Sequence, residues 1–517
     1  MIRRDFLKLV AGSAAVGAVG ASVAGCGGGQ TSNGGATGSG GEGTAPSLTY
    51  GLMSAPMTFD PSSGEWGNRL PYYQLPYDTL LCATPEGGID PWLATEWSYD
   101  DTETALTLTL RDDVTFSDGA TLDAAAVQAS MERFRTGGGP DQGYMRYVDS
   151  VEAPDATTVV VHLTQPDPAF LNYLTRTAGL VLSPNAAENA DLDTNPVGSG
   201  PYTLDAGASV SGTSYVFNRR EGYWNPDAQH YDTITLRVFN DPTATLNALR
   251  AGELNAAKLQ TAEMFGQAQQ AGWTLNENEL DFSGLLLLDR AGTMAPPLGD
   301  VRVRKAINMA VDREAFLQAV VLGYGTLTEQ VFPPTSAAYD EALDSTYGYD
   351  PEGARALLAE AGYPNGFSLE MPSSALLGTT TFNLLQQALG DIGITVTYVD
   401  PGQNFIADLL APRFAASYMS LEQNPDWQLT QFMVSEDAVF NPFHYADDQV
   451  NAWLEEYLQA DEARRDAIMG ELNAYLVDQA WFAPFFRIPG VVASDPNTQV
   501  TMLPTNTLPN MYDIRPA

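Results

Sequence analysis

LATEWSYDDTETALTLTLRDDVTFSDGATLDAAAVQASMERF, residues 93–134, carries a strand, a turn and a helix start in one continuous run. Leu106, Leu108 and Leu110 alternate with Ala and Thr, the period-two pattern of a strand with one buried face. Ser117, Asp118 and Gly119 then predict a tight turn, and Asp123 stands where a carboxylate caps the first free N–H groups of a helix.

The same alternation of element types extends outward. TTVVVHL at 157–163, TITLRVF at 233–239 and ITVTYV at 394–399 read as further strands. Asp241 with Pro242 and Asp350 with Pro351 each place a capping carboxylate before a proline at the first helical position, and Gly252 and Gly362 stop those helices. In DVRVRKAINMAVDRE, residues 300–314, Val303, Ala306, Ile307, Ala310 and Val311 form one apolar stripe, with Arg302, Arg304, Lys305, Asn308 and Asp312 mostly off it. Val450, Trp453, Leu454, Tyr457 and Leu458 repeat the spacing, and Ile468, Leu472, Tyr475 and Leu476 predict a helix behind it. Strands interleaved with helices favour an α/β architecture, and no internal repeat is visible.

The start of the chain reads differently. MIRRDFLK and the small apolar run after it have the order of an export signal, too short and glycine-rich for a spanning helix. Arg3 and Arg4, followed by Phe6 and Leu7, resemble a twin-arginine address. Val23, Ala24, Gly25 and Cys26 resemble a lipobox, in which the thiol of Cys26 receives a lipid. Two or more acyl chains give lasting attachment, because each buried methylene contributes about 0.8 kcal/mol. Residues 27–46 are a glycine-rich coil with a root-mean-square span of roughly 25 Å, a tether. Gly38, Gly40 and Gly43 fall in a G-x-G-x-x-G spacing, but with no strand before them and no helix after them they carry no dinucleotide reading.

Composition excludes several classes. The chain has 25 basic and 64 acidic residues; removal of residues 1–25, with Arg3, Arg4, Lys8 and Asp5, leaves a formal charge of −41. That surface repels phosphate backbones, so nucleic acid is not expected as a partner. Lys8, Lys258 and Lys305 are the only lysines. With Cys26 lipidated, Cys82 has no disulfide partner. An enzyme, for instance an anchored extracellular hydrolase, would need a nucleophile elbow or a metal-binding H-E-x-x-H, and neither is present. His162, His230 and His444 form no ligand cluster, and Asp191, Asp193 and Asn195 open like a calcium loop that Pro196 and Tyr202 break. No metal and no cofactor are expected.

A family resemblance joins these pieces. Residues 93–134, NPVGSGPYTL at 195–204, YWNPDAQHYDTITLRVF at 223–239 and ALRAGELNAA at 248–257 resemble, in order, the family 5 solute-binding proteins of peptide-type ABC importers. PPLGDVRVRKAINMAVDREAFLQAVVLGYGT at 296–326 and YDPEGARALLAEAGYPNGFSLEM at 349–371 continue the likeness. Within these blocks Gly198, Gly200 and Pro201 are read as a turn into a strand.

The resemblance implies a two-lobed α/β fold of the periplasmic-binding-protein type, with an extra subdomain in the larger lobe and the ligand cleft at the hinge. The expected divisions are 1–25 export signal, 26–46 lipidated cysteine and tether, and 47–70 first part of lobe I. Residues 71–189 are then the extra subdomain, 190–283 lobe I continued, 284–486 lobe II, and 487–517 the return to lobe I. The implied role is capture of a small solute by hinge closure, for delivery to an ABC permease in the membrane. A shift from mostly open to mostly closed needs about 5.5 kcal/mol of differential affinity. The receptor is expected to be exported, lipid-anchored at the outer face of the cell membrane or in the periplasm, and monomeric.

For the cleft, the resemblance places the segment after the first strand in or near it, with Trp66, Asn68, Tyr72 and Tyr73. Peptide binders also carry an aspartate that meets the ligand's ammonium group. The corresponding stretch, SLEQNPDWQLTQF, puts Gln423 at that place, followed by Asp426 and Trp427. Arg487 in PFFRIPG is a candidate for a ligand carboxylate, with a surface or hinge ion pair as its other reading. A di- or oligopeptide is the first expectation. A sugar, a nickel chelate or haem on the same architecture remains the alternative, because a glutamine cannot balance a buried ammonium.

Overall fold

The computed structural model describes residues 45–517 except 187, 188, 190, 375, 376, 424 and 425. The expectations for Arg3, Arg4, Phe6, Leu7, Cys26 and the tether fall outside the described residues.

A nine-stranded sheet runs through the molecule. Its strands lie in the order Ala416–Glu422, Thr274–Leu287, Phe482–Ser494, Ala256–Leu259, Ala45–Leu52, Tyr231–Val238, Ser214–Arg219 and Tyr202–Leu204, with Thr326–Leu327 added beside Phe482–Ser494. Ala45–Leu52 is parallel to both of its neighbours, the usual product of helical crossovers such as Pro242–Arg250. The two longest strands, Thr274–Leu287 and Phe482–Ser494, pair antiparallel over most of their length. Their Leu285, Leu286, Phe485 and Phe486 are buried, so they form a stiff spine under the site. The expected lobe changes at 283/284 and 486/487 fall on this spine, where Ser283 and Phe486 are cross-strand partners.

The opening stretch builds a separate four-stranded sheet, Ala94–Tyr99, Ala105–Leu110, Thr158–Leu163 and Val148–Glu152. Leu106 and Leu108 are fully buried, as the alternation predicts, and the helix Ala124–Gly137 covers them, with Asp123 accepting from the Ala126 N–H at 2.8 Å. Burial of each such leucine contributes about 1.5–3 kcal/mol. This sheet is tied to the large one by Asp78. Its buried carboxylate accepts from Trp92 Nε1, Ser199 Oγ, Tyr223 Oη and Trp224 Nε1 at 2.7–3.1 Å. Gly198 and Gly200 do more than turn the chain: a Cβ on Gly198 would lie 2.2 Å from the Tyr77 ring, and one on Gly200 2.5 Å from the Pro76 carbonyl carbon.

The remaining body packs helices Val301–Met309, Arg313–Val321, Pro351–Glu360 and Thr379–Asp391 around the parallel pair Phe367–Pro372 and Ile394–Val399. Val303, Ala306, Ile307, Ala310 and Val311 are all buried, as the stripe requires. Arg304 and Asn308 correct the expected polar face, because both are buried too. The Arg304 guanidinium donates to the Leu298 and Gln479 carbonyls, and Asn308 bridges the Arg313 guanidinium and the Phe482 carbonyl. The helix therefore docks on two sides rather than one. No helix among the described residues is long and apolar enough to cross a membrane.

Candidate functional site

Two cavities of similar size are candidates, one of them lined by the spine, and their chemistry separates them. The first, about 610 Å³, is walled by Met53, Asn68, Lys258, Asp281, Ser283, Tyr418, Ser420 and Gly490, and by the segments around Val320 and Thr380. The spine and its edge strand Ala416–Glu422 position the polar groups. Cross-strand pairing sets Ser283 opposite Ser420 and Asp281 opposite Glu422. Since side chains alternate between faces, Glu422 continues the Tyr418–Ser420 side, which lines the cavity. A register irregularity between Glu279 and Asp281 gives the spine a local kink beside this pair.

The Asp281 and Glu422 carboxylates accept no hydrogen bond and make no ion pair with any described residue. Burial raises the carboxyl of Asp281, with Lys258 pulling the other way. Burial also pushes Glu422 up to about 7; Arg176 opposes that shift, whereas Asp281, Asp141 and Glu65 add to it. Two neighbouring carboxylates with no cation in ion-pair contact repel each other, and a cation placed between them relieves both. Among the described residues no group of His, Cys, Asp or Glu is arranged to hold a metal ion.

Two cations act on them, Lys258 from the lining of the same cavity and Arg176 from outside it. Lys258 donates to the Thr507 carbonyl at 2.9 Å and makes no ion pair. Burial lowers its ammonium to about 8. Arg176 is 6% exposed, with only long contacts to Tyr144 Oη and the Thr505 carbonyl at 3.4 and 3.5 Å. Asp141, nearby, accepts from the Trp66 N–H and Thr177 Oγ1 at 3.0 and 2.8 Å.

The second cavity, about 640 Å³, is bordered by Glu86, Asn172, Ser336, Gln423, Asp426, Trp427 and Tyr457. Its Asp426 carboxylate is already engaged, although Gln423 Oε1, Trp427 Nε1 and Gln428 Oε1 are buried without a hydrogen-bond partner. Asp426 accepts from Ser336 Oγ at 2.5 Å, Trp427 stacks on Tyr457 with centroids 5.0 Å apart, and the Gln423 amide donates to the Val331 carbonyl at 2.8 Å.

These positions correct several expectations. Trp66, Tyr72 and Tyr73 are 4%, 0% and 0% exposed and stand behind the cleft wall rather than on it. The two phenols donate to the Ser54 and Thr58 carbonyls, so the loop satisfies their polar tips and the rings fill apolar space beneath it. Asn68 does line the first cavity. Gln423 lines the second cavity instead, whereas Glu422, one residue earlier, shares the strand face of Tyr418 and Ser420. Asp426 and Trp427 belong to the second cavity. Arg487 is buried in the spine, donating to Thr328 Oγ1 at 2.7 Å and lying 3.4 Å from the Asp344 carboxylate. It makes a buried ion pair on the strand Phe482–Ser494. Lys258, Asp281, Glu422 and Arg176 were missed by sequence reasoning; the one available signal was a rare lysine set in the apolar strand Ala256–Leu259.

Residues 88–444 match the family model of bacterial extracellular solute-binding proteins, family 5, middle region. The chain belongs to that family. Family 5 proteins capture a solute and deliver it to an ABC importer. The glutathione-binding protein GsiB of Escherichia coli O1:K1 is 32% identical over 408 residues, covering 75% of this chain and 78% of the relative. Among solved structures, DppA of Helicobacter pylori in complex with the peptide STSA superposes with a TM-score of 0.75 at 21% identity, over 92% of this chain and 99% of that one. NikA of Brucella suis in complex with Fe(III)-EDTA gives 0.78 at 22% identity, over 92% and 100%. These likenesses establish the two-lobed fold for this family 5 chain, and the relatives named are binding proteins.

Proposed function

We propose that this family 5 receptor captures a short peptide in the 610 Å³ cavity and presents it to its permease by closing the lobes over it. The observation that supports this is the unpartnered Asp281–Glu422 pair, cross-strand neighbours that offer two carboxylates to one ammonium. It supplies the charge partner that Gln423 lacks. The 32% identity to a glutathione-binding protein makes glutathione the first peptide to test. Cavity size agrees, because small-solute sites commonly fall at about 300–1,000 Å³.

The receptor is exported through the Arg3–Arg4 signal and held by lipid on Cys26, a monomer on a tether, with lobes divided as the family resemblance implies. Thermal unfolding of the purified protein against glutathione, dipeptides, a sugar panel, a nickel chelate and haem tests the ligand class. Ligand at 100 times its dissociation constant stabilises by about 2.7 kcal/mol. A shift with sugars, chelate or haem and none with any peptide overturns the reading. The anchor is tested separately: Cys26→Ala releases the protein from the membrane fraction, and unchanged membrane retention refutes lipidation.

A further inference from the structure

We propose that Lys258 is the carboxylate-binding residue of the cleft, so that the solute is short and carries a free carboxylate at one end and a free ammonium at the other. This deepens the peptide reading above and rests on it for the class of solute.

Lys258 lies on an inner strand of the large sheet, between Ala45–Leu52 and Phe482–Ser494, with Ala256, Ala257 and Leu259 buried around it. An ammonium has three protons to donate, and the Thr507 carbonyl accepts one. The remaining donors meet no carboxylate of the described residues. Lys305 shows the ordinary alternative, a surface lysine paired with Asp478 at 2.8 Å. Gly490 keeps the approach open: a Cβ there would lie 3.1 Å from Lys258 Nζ and 2.9 Å from Asn278 Oδ1.

Two further features make the pocket one for a single carboxylate. Thr261, Ala262 and Glu263 line the same cavity as the first turn of the helix Ala262–Gln270, whose partial positive charge favours an anion beside Lys258. Glu263 and Asp281 face the cavity as well, and their charge opposes a phosphate or any multiply charged anion. Asp281 sits across from Lys258 without an ion pair to it. A solute that carries both charges satisfies both walls at once, whereas a long peptide cannot place both of its ends in one cavity of about 610 Å³.

The test is calorimetric titration of glutathione, a dipeptide panel and 6-aminohexanoate, with the C-terminal amide and the N-acetyl form of each. Wild type, Lys258→Met and the control Lys305→Met are compared, with thermal melts confirming that each variant folds. Loss of a charge-assisted hydrogen bond weakens binding about 10- to 100-fold. Amidation is expected to weaken binding by that factor in wild type and in Lys305→Met. In Lys258→Met, acid and amide should bind alike, at the level of the amide on wild type. Equal binding of acid and amide by wild type, or an amidation penalty that persists in Lys258→Met, overturns the assignment while leaving the peptide reading standing. If 6-aminohexanoate binds through Lys258 and no peptide does, the peptide reading falls and the assignment survives. If no carboxylate in the panel binds, both fall.

Discussion

The two cavities differ little in volume and greatly in how far the protein has satisfied its own buried charges. Around Asp426 the carboxylate accepts from Ser336 and the indole stacks on Tyr457; what stays unmet there is neutral, the Gln423 amide oxygen and the Trp427 N–H. Around Lys258, Asp281 and Glu422 the charges stand unpaired, on strands too well packed to bring them together. An unpaired charge in a partly desolvated wall destabilises the empty protein, so its retention there points to a compensating group on the ligand. A concave surface becomes a site when it holds unmet electrostatic demand; volume alone does not make it one.

The largest effect that sharpens this contrast comes from removing the carboxylate pair. Asp281→Asn with Glu422→Gln is expected to weaken peptide binding by at least about 30-fold, since leaving a buried ammonium unpaired costs about 2–5 kcal/mol. Calorimetry checks it, and unchanged affinity moves the ammonium site elsewhere. The same substitution should stabilise the empty protein at pH 8 and not at pH 5. Glu422 has a raised folded value, about 7, so its favourable contribution is fully present below the ordinary glutamate range and is lost as pH rises through about 7. Glutamine carries no such penalty, and melts at the two pH values read the difference.

Affinity should also be bell-shaped in pH. The limb on the acid side follows ionisation of Glu422 near 7, in the field of Asp281, Asp141, Glu65 and Arg176. The alkaline limb follows loss of the Lys258 proton near 8, with Asp281 and Glu263 facing it, together with the ligand's own amine. Titrations in buffers of different ionisation enthalpy should show proton release on binding at pH 6 and uptake at pH 9. A flat profile means that neither group meets the ligand. Next in size, Gly490→Ala should weaken binding about tenfold by crowding Lys258 Nζ and Asn278 Oδ1, with little change in the melting temperature.

Local signals carried the fold into the sequence, and long-range register carried the site out of it. Asp123, Asp241 and Asp350 cap the helices expected of them because a cap needs only its own next few residues. Leu106 and Leu108 point inward because a strand's period is local too. By contrast, Glu422 falls on the strand face of Tyr418 and Ser420 and Gln423 does not, a difference of one residue set by pairing with Thr274–Leu287 far earlier in the chain. Tyr72 and Tyr73 mislead for another reason. A phenol suits a wet cleft and a buried loop floor equally, and only the Ser54 and Thr58 carbonyls decide between them. Arg304 stands off the apolar stripe, yet a helix end and a turn give its guanidinium three carbonyl contacts inside.

The smallest expected effect lies in the second cavity and is the one most able to break the comparison. Asp426→Asn keeps an oxygen for Ser336 Oγ, and Trp427→Phe keeps an aromatic ring against Tyr457. If these groups serve packing, each variant should bind the solute within about threefold of wild type, because a contact that is not made to the ligand contributes little to its affinity. Stability should fall by about 1 kcal/mol or so for the smaller ring, read as a shift in the melting temperature. Burial raises the Asp426 carboxyl while Ser336 pulls it down, so the neutral amide should be tolerated best at neutral pH and above, where the carboxylate has to be ionised against that burial. Tenfold weaker binding from either substitution, with stability intact, would extend the site from the first cavity into the second and make the solute longer than a molecule gripped at both ends within one.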